Sequence, residues 1–106
     1  AVCFGVMGGF MQPQGHVQVL SNLVDLGMSP QQALDAPRFF FQAGNLFLVE
    51  PTYPAAFYDD LRARGHALDV RAAGGYGGGQ VIAVDPESGA LMAGSEPRND
   101  GSAVAF

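Results

Sequence analysis

The chain has 106 residues, of which 48% are hydrophobic and only 14% are charged. In soluble domains about a quarter of all residues are usually charged. Because this chain has fewer, we expect part of its surface to face protein rather than water. Ten carboxylates against five basic residues give a net charge of −5, which argues against nucleic acid or an anionic membrane as a partner, and no apolar stretch reaches the roughly 20 residues of a transmembrane helix.

The apolar run of residues 1–6 predicts a strand that leads into the pair Gly8 and Gly9. An amphipathic helix is predicted from about Met11 to Leu26, and Gly27 is well suited to end it. The apolar positions at helical spacing are Val17, Leu20, Leu23 and Val24.

A second, short helix is predicted from the capping-box pattern Ser-Pro-Gln-Gln at residues 29–32, and it ends at Ala36 before Pro37. The β-prone runs Phe39–Phe41 and Leu46–Val49 flank Gln-Ala-Gly-Asn, which predicts a hairpin with a four-residue loop. The aromatic density of this hairpin implies that it is buried.

A third helix is predicted from Tyr53 to Arg64, because its apolar residues share one side and its acidic residues precede its basic ones, as the helix dipole prefers. Gly65 ends this helix, and residues 67–70 begin a strand. Residues 74–79 contain five glycines. This run lacks the Gly-Lys-Ser/Thr ending of a phosphate-binding loop and precedes a strand, so we interpret it as a mobile surface loop.

The last third predicts an antiparallel hairpin of residues 80–84 and 90–93 around the turn 85–89, and residues 102–106 predict a final strand. No repeat or long linker divides the chain, so residues 1–106 are expected to be a single domain or a fragment. The elements together predict an α/β (α+β) fold with an antiparallel sheet. Because the first residue is not Met and a strand-like run begins at once, we expect a piece of a longer protein.

The junction of Gly8 and Gly9 with the following helix is the strongest candidate for a binding site. Glycines let a ligand approach the backbone closely, and the first N–H groups of a helix have no partners of their own. The alternative is a tight turn between strand and helix with nothing bound.

Other reactive side chains give weaker signals. His16 and His66 have no Cys, Asp or Glu at metal-ligand spacing, so neither a metal site nor a cofactor is predicted. We expect His16 to be a packed histidine rather than a general base, and His66 to precede a strand at the surface. Cys3 has no second cysteine to pair with, and is interpreted as a small buried hydrophobic residue rather than a reactive thiol.

The charged residues near the C-terminal hairpin are interpreted as structural. Asp85 and Asp100 occur in Asp-Pro and Asp-Gly contexts, where a carboxylate commonly accepts backbone N–H bonds. Arg98 is expected to form a structural ion pair with a carboxylate rather than to bind substrate.

Three sequence blocks, taken in their order along the chain, together resemble a known protein family. They are Met7-Gly8-Gly9 with residues 12–20, then residues 29–39, then residues 85–91 running into Ser-Glu-Pro-Arg-Asn-Asp-Gly at 95–101. In order and spacing the chain resembles the C-terminal part of the small subunit of the γ-glutamyltranspeptidase family. These N-terminal-nucleophile hydrolases act on glutathione and related γ-glutamyl amides. The resemblance covers nearly the whole chain.

The resemblance implies one half of a four-layer αββα sandwich, with the nucleophilic threonine and the residues that bind the γ-glutamyl group upstream of this segment. Gly8 and Gly9 match the Gly-Gly pair whose backbone N–H groups form the oxyanion hole. Met7 stands where better-studied members have Pro, and Phe10 stands where relatives with the Gln-Pro-Gln-Gly-His run often have an acidic residue. We expect these departures to affect substrate choice more than reaction type.

The expected function is therefore that of a segment of an enzyme that transfers or hydrolyses γ-glutamyl groups through a threonyl acyl-enzyme. Its expected partners are the large subunit, the rest of the small subunit and a γ-glutamyl substrate. Alone, the segment is expected to be inactive and to self-associate. The alternatives are a cephalosporin-acylase-like amidase and a non-catalytic interaction domain. The compartment, periplasmic or cytoplasmic, stays open.

Overall fold

The computed structural model describes residues 1–72 and 75–105. The strands in chain order are β1 (Val2–Met7), β2 (Phe39–Ala43), β3 (Leu46–Val49), β4 (Ala67–Val70), β5 (Gly78–Val84) and β6 (Leu91–Ser95). The helices are α1 (Gln12–Val24), α2 (Pro30–Asp35) and α3 (Ala55–Ala63), and 3-10 turns cover Gly9–Met11 and Pro97–Asn99. These elements form two units, residues 1–36 with 77–106 and residues 37–76.

The sheet of the first unit has the order β1-β5-β6 within the described residues, and both pairings are antiparallel. Helices α1 and α2 pack on one face of this sheet. The buried cluster between them consists of Val6, Val19, Leu34 and Val81, with Phe4 and Leu23 packed against it. This arrangement agrees with the expected α/β fold and with the two strands predicted for the last hairpin.

Of the four apolar positions that the helical spacing of α1 indicates, only Leu23 packs against the core. Val19 and Gly15 are buried, whereas Val17, Leu20 and Val24 are 67%, 47% and 69% exposed. The spacing of the latter three correctly indicates an apolar stripe on a helix, but the described part of the chain leaves that stripe uncovered. We call Val17, Leu20 and Val24 the outer stripe of α1.

The sheet of the first unit also has an uncovered apolar face. Side chains alternate along a strand, so Cys3 and Met7 lie on the face opposite the buried Val6, together with Ile82, which is paired with Cys3 across the sheet. Cys3 is exposed, and Met7 and Ile82 are 70% and 48% exposed. The interpretation of Cys3 as a buried residue is therefore wrong, because the helices cover only the other face.

The glycine run is only partly a loop. Gly78 and Gly79 belong to β5, where they pair with Met7 and Val6 of β1. The interpretation as a surface loop is therefore wrong for these two residues, since the sheet hydrogen-bonds them. Gly74 lies outside the described residues.

The final strand predicted for residues 102–106 does not form among its described positions. Residues 102–105 have no regular secondary structure. They pair with no other strand in the part of the chain that the structure describes, so the apolar composition of this segment was misleading.

The second unit is a hairpin followed by a strand–helix–strand crossover. Strands β2 and β3 pair antiparallel with a bulge between Phe41 and Ala43, so the connecting turn is shorter than predicted. Strand β4 pairs with β3 in parallel, which α3 between them makes feasible. The sequence did not indicate this pairing.

Aromatic side chains in the second unit are less buried than their density implies. Phe41 is 41% exposed, and Phe39, Phe47 and Phe57 line an apolar cavity of about 280 Å³ beside His66. His66 directly precedes β4, as predicted, and packs edge-on against Phe47.

No helix in the described residues has the length and apolar character needed to cross a bilayer.

A test of the packing in the first unit uses two strand glycines. A Cβ at Gly94 would lie 2.7–2.8 Å from backbone atoms of Pro30 and Gln31, whereas a Cβ at Gly5 would meet no atom within 4 Å. We expect Gly94→Ala to destabilise the protein by about 1–3 kcal/mol, because backbone of α2 must move. Gly5→Ala is the matched control, with no loss expected.

Urea unfolding of the two variants measures this difference. Equal stabilities for Gly94→Ala and Gly5→Ala would show that α2 does not pack on β6 as described.

Candidate functional site

The turn between β1 and α1 is built on two glycines with positive φ. Gly8 has φ 147° and Gly9 has φ 56°, conformations that side chains with a Cβ rarely adopt. The Met11 N–H donates to the Gly8 carbonyl at 3.0 Å and closes a 3-10 turn. The α-helix therefore begins at Gln12, after this extra turn, within one residue of the predicted start.

The two glycines differ in what surrounds them. A Cβ at Gly8 would lie 3.0 Å from the Gly77 Cα and 3.2 Å from the Met11 Cβ, whereas a Cβ at Gly9 would meet nothing within 4 Å. At Gly77, with φ +78°, a Cβ would lie 2.6 Å from the Met7 carbonyl oxygen. Gly8 and Gly77 thus allow two backbone segments to touch, while Gly9 faces open space.

The N–H groups of Gly8 and Gly9 are the candidate donors of the site. Neither is hydrogen-bonded to an acceptor in residues 1–72 or 75–105, and both residues are exposed. N–H groups at the start of a helix carry partial positive charge and suit an anion or a developing negative charge.

Buried side chains at its two ends hold this turn in place. Met11 is fully buried, and Val6, one residue before Met7, is 3% exposed. Gly15 brings α1 close to β1, because a Cβ there would lie 2.7 Å from the Val6 Cγ1. Packing therefore fixes the turn at both ends, although Gly8 and Gly9 between them are exposed.

His16 connects the two ends of the turn. Its Nδ1 lies 2.6 Å from the Gln12 carbonyl oxygen, and the Val6 N–H donates to its Nε2 at 3.4 Å. Its ring also packs against Phe4, with centroids 5.5 Å apart. This agrees with the interpretation of His16 as a packed histidine.

A cleft of about 370 Å³ adjoins the end of β1. Met7 lies on one side of it, next to the glycine pair. The polar side chains that line it are those of Gln12, His16, Gln80 and Asn99. Three of these four are carboxamides, so the cleft offers both donors and acceptors without charge.

Arg98 forms a structural ion pair, as predicted. Its Nη1 lies 2.6 Å from Glu96 Oε1, and its guanidinium also donates to the carbonyls of Leu34 and Ala36. Glu96 is fully buried and accepts the Gly79 N–H at 2.7 Å. This buried carboxylate ties β5 to the C-terminal 3-10 turn, a role that the sequence did not indicate.

Asp85 behaves as predicted and Asp100 does not. The Ser88 hydroxyl donates to the Asp85 carboxylate and is the main cause that lowers the pKa of this carboxyl, followed by the Glu87 N–H. Asp100 instead has left-handed backbone, with φ 52°. It ends the 3-10 turn Pro97–Asn99, and its carboxylate forms no hydrogen bond among the described residues.

His16 and His66 lie in different units. Over residues 1–72 and 75–105, no group of three His, Cys, Asp or Glu side chains is arranged to hold a metal ion.

A profile of the Gamma-glutamyltranspeptidase family matches residues 1–106, the whole chain. The chain belongs to this family. The resemblance seen in the three sequence blocks is thereby confirmed, together with the mixed α/β fold of N-terminal-nucleophile hydrolases.

Curated relatives within the family include hydrolases and acylases. The chain is 33% identical to a glutathione hydrolase-like YwrD proenzyme of Bacillus subtilis, over 97% of this chain and 21% of the relative. It is 37% identical to an acylase ACY 1 proenzyme of a Pseudomonas species, over 100% of this chain and 18% of the relative. The chain therefore spans about a fifth of the length of these relatives.

A solved structure shows the same relation. The cephalosporin acylase from Bacillus halodurans is 51% identical to this chain, with a TM-score of 0.92, over 97% of this chain and 19% of that one. The described fold thus matches about one fifth of that acylase.

Proposed function

We propose that this chain is the C-terminal segment of an enzyme that cleaves an amide bond by acyl transfer, and that Gly8 and Gly9 supply the oxyanion hole. The nucleophile, by resemblance a threonine, and the groups that bind the γ-glutamyl part of the substrate belong to the rest of the enzyme. The observation that carries the proposal is the pair of exposed N–H groups, which donate to no acceptor among the described residues, on a turn held by buried Met11 and Val6.

The chemistry requires such a pair. Attack of a hydroxyl on an amide carbonyl places negative charge on the carbonyl oxygen, and fixed N–H donors stabilise that charge without having to reorganise. The packing of Met11 and Gly8 supports fixed donors, and the open space at Gly9 supports access by substrate.

The acyl group of the substrate has two candidates. Resemblance to the family favours a γ-glutamyl group, which water or an amine acceptor then removes from the acyl-enzyme. An acyl group of the kind that a cephalosporin acylase removes is the second candidate. It is favoured by the exposed apolar side chains on both sides of the glycine pair, since Met7 is 70% and Phe10 is 92% exposed.

The two substrates distinguish these candidates in the complete enzyme. Product release from γ-glutamyl-p-nitroanilide supports the first candidate, and release from an N-acyl cephalosporin supports the second. If the complete enzyme cleaves neither amide, the proposed reaction is contradicted.

The partner proposed for the uncovered surfaces is the remainder of the same enzyme. The outer stripe of α1 and the sheet face around Ile82 are apolar and exposed, and the relatives contain about fivefold more chain than this segment, as their matched shares of 21% and 18% require. Burial of these surfaces by the remaining chain would remove apolar area from water.

Gly9 and Gly27 have similar backbone conformations, and comparing substitutions at the two positions tests the oxyanion role of Gly9. Gly9 and Gly27 have φ +56° and +63°, and a Cβ at either would meet no atom within 4 Å. Valine at either position should cost about 1–2 kcal/mol of stability through left-handed strain. In the complete enzyme we expect Gly9→Val, but not Gly27→Val, to lower kcat by about 10²–10³-fold. This is the effect that the loss of one oxyanion donor has in other enzymes.

Active-site-titrated kinetics, with thermal melts alongside, measure this effect. If kcat per titrated site of Gly9→Val equals that of Gly27→Val, the glycine serves only the turn and has no part in catalysis.

The segment alone should release no product from γ-glutamyl-p-nitroanilide, because the nucleophile is proposed to lie outside it. A buffer blank and the complete enzyme are the two references. Turnover above the blank, in material free of host enzyme, would place the nucleophile within these 106 residues.

The segment alone should also self-associate, because the described residues leave the apolar outer stripe of α1 exposed to water. Light scattering at rising concentration measures the mean mass. We expect Leu20→Lys to reduce association and Ser102→Lys, an equal charge change at another exposed position, to leave it unchanged. A monomer at every concentration contradicts the expectation.

A further inference from the structure

His16 is placed where it can fix the two ends of the glycine turn relative to each other. The Val6 N–H, at the end of β1, donates to Nε2 at 3.4 Å, and Nδ1 lies 2.6 Å from the Gln12 carbonyl at the start of α1. Gly8 and Gly9 lie between these two residues. One imidazole therefore spans the segment that carries both candidate donors.

The hydrogen-bond partners define the state of the imidazole. A carbonyl oxygen only accepts, so Nδ1 carries the proton, and Nε2 is the bare nitrogen that accepts from Val6. Both ring nitrogens are then used within the protein. This argues against a role for His16 as general base, and for a role in holding backbone.

The close packing of α1 on β1 makes this bridge feasible. Gly15, next to His16, has its Cα so near Val6 that a Cβ would lie 2.7 Å from the Val6 Cγ1. Phe4 packs against the imidazole from the strand side. The ring is thus held by its neighbours in the orientation that the two hydrogen bonds require.

We propose that His16 is a positioning residue, which holds the N–H groups of Gly8 and Gly9 in place by bridging Val6 and Gln12. This inference rests on the proposed oxyanion role of the two glycines. It adds a side chain that acts on the site through the backbone and touches no reacting atom.

Two substitutions separate the two hydrogen bonds. Glutamine carries an acceptor about as far from the backbone as Nε2, and so can keep the bond from Val6. Asparagine reaches only as far as Nδ1, and so can keep only the bond to Gln12. Asn22→Ala is the control, since Asn22 also lies on α1 and its side chain donates to the Ala33 carbonyl at 3.2 Å, away from the turn.

In the complete enzyme, we expect His16→Asn to lower kcat per titrated site by about 10²-fold, as for a misplacement of about 1 Å. KM should change little, because the groups that bind substrate lie elsewhere. His16→Gln should restore most of kcat, and Asn22→Ala should lower stability without lowering kcat. A merely structural role would give His16→Asn and Asn22→Ala the same kinetic profile.

Amide hydrogen exchange at Val6 gives a readout without substrate. Exchange should be faster in His16→Asn than in wild type, and close to wild type in His16→Gln. The inference is overturned if Val6 exchange is the same in all three, or if His16→Asn keeps its kcat. If His16→Asn does not fold, a low kcat in folded His16→Gln overturns it as well.

The two levels of the proposal fail separately. If the complete enzyme cleaves neither amide, the proposed reaction fails, while exchange at Val6 still decides whether His16 holds the turn. If Gly9→Val lowers kcat and His16→Asn does not, the oxyanion role stands and the positioning role fails.

Discussion

Contact between two backbone segments, at Gly8 and at Gly77, fixes the geometry of the first unit. A Cβ at Gly8 would lie 3.0 Å from the Gly77 Cα, and a Cβ at Gly77 would lie 2.6 Å from the Met7 carbonyl oxygen. Any side chain at either position would separate β1 from the chain that enters β5. The pairing of Met7 with Gly78, the depth of Met11 and the start of α1 all depend on this contact.

The same region also contains the fully buried carboxylate of Glu96. It accepts the Gly79 N–H and pairs with Arg98, which in turn donates to the carbonyls at the end of α2. Removing one partner of a buried ion pair typically costs about 3–5 kcal/mol, because the other charge remains unpaired. Glu96 and Arg98 therefore connect β5, the C-terminal turn and α2 in one network, on which the turn at Gly8 depends indirectly.

Sequence reasoning succeeded where the signal is local. The Ser29 hydroxyl and the Gln32 side chain form the predicted capping box. Gly27, with φ +63°, lies three residues past Val24, the last residue of α1. The turn at Asp85 also follows from adjacent residues. Each of these depends on side chains within four residues of one another, so spacing alone specifies the structure.

The remaining features depend on partners distant in sequence. Nothing near Gly77 indicates that it packs on Met7, and nothing near Glu96 indicates that its carboxylate is buried against Gly79. For α1, the spacing of Val17, Leu20 and Val24 indicated an apolar side of the helix, whereas Val19 is the residue that is fully buried. A periodicity identifies an apolar face but not what covers it, and here the covering chain is proposed to lie outside the segment.

The two residues of the glycine pair meet different requirements, one from folding and one from the proposed chemistry. Gly8 is required by the fold, since neighbouring backbone occupies the space of its missing side chain. Gly9 has only its left-handed dihedral to satisfy, a conformation that Asn or Asp also adopts at modest cost. The packing of the described residues therefore does not require the absence of a side chain at Gly9, whereas the proposed reaction requires that a carbonyl oxygen can reach the Gly9 N–H.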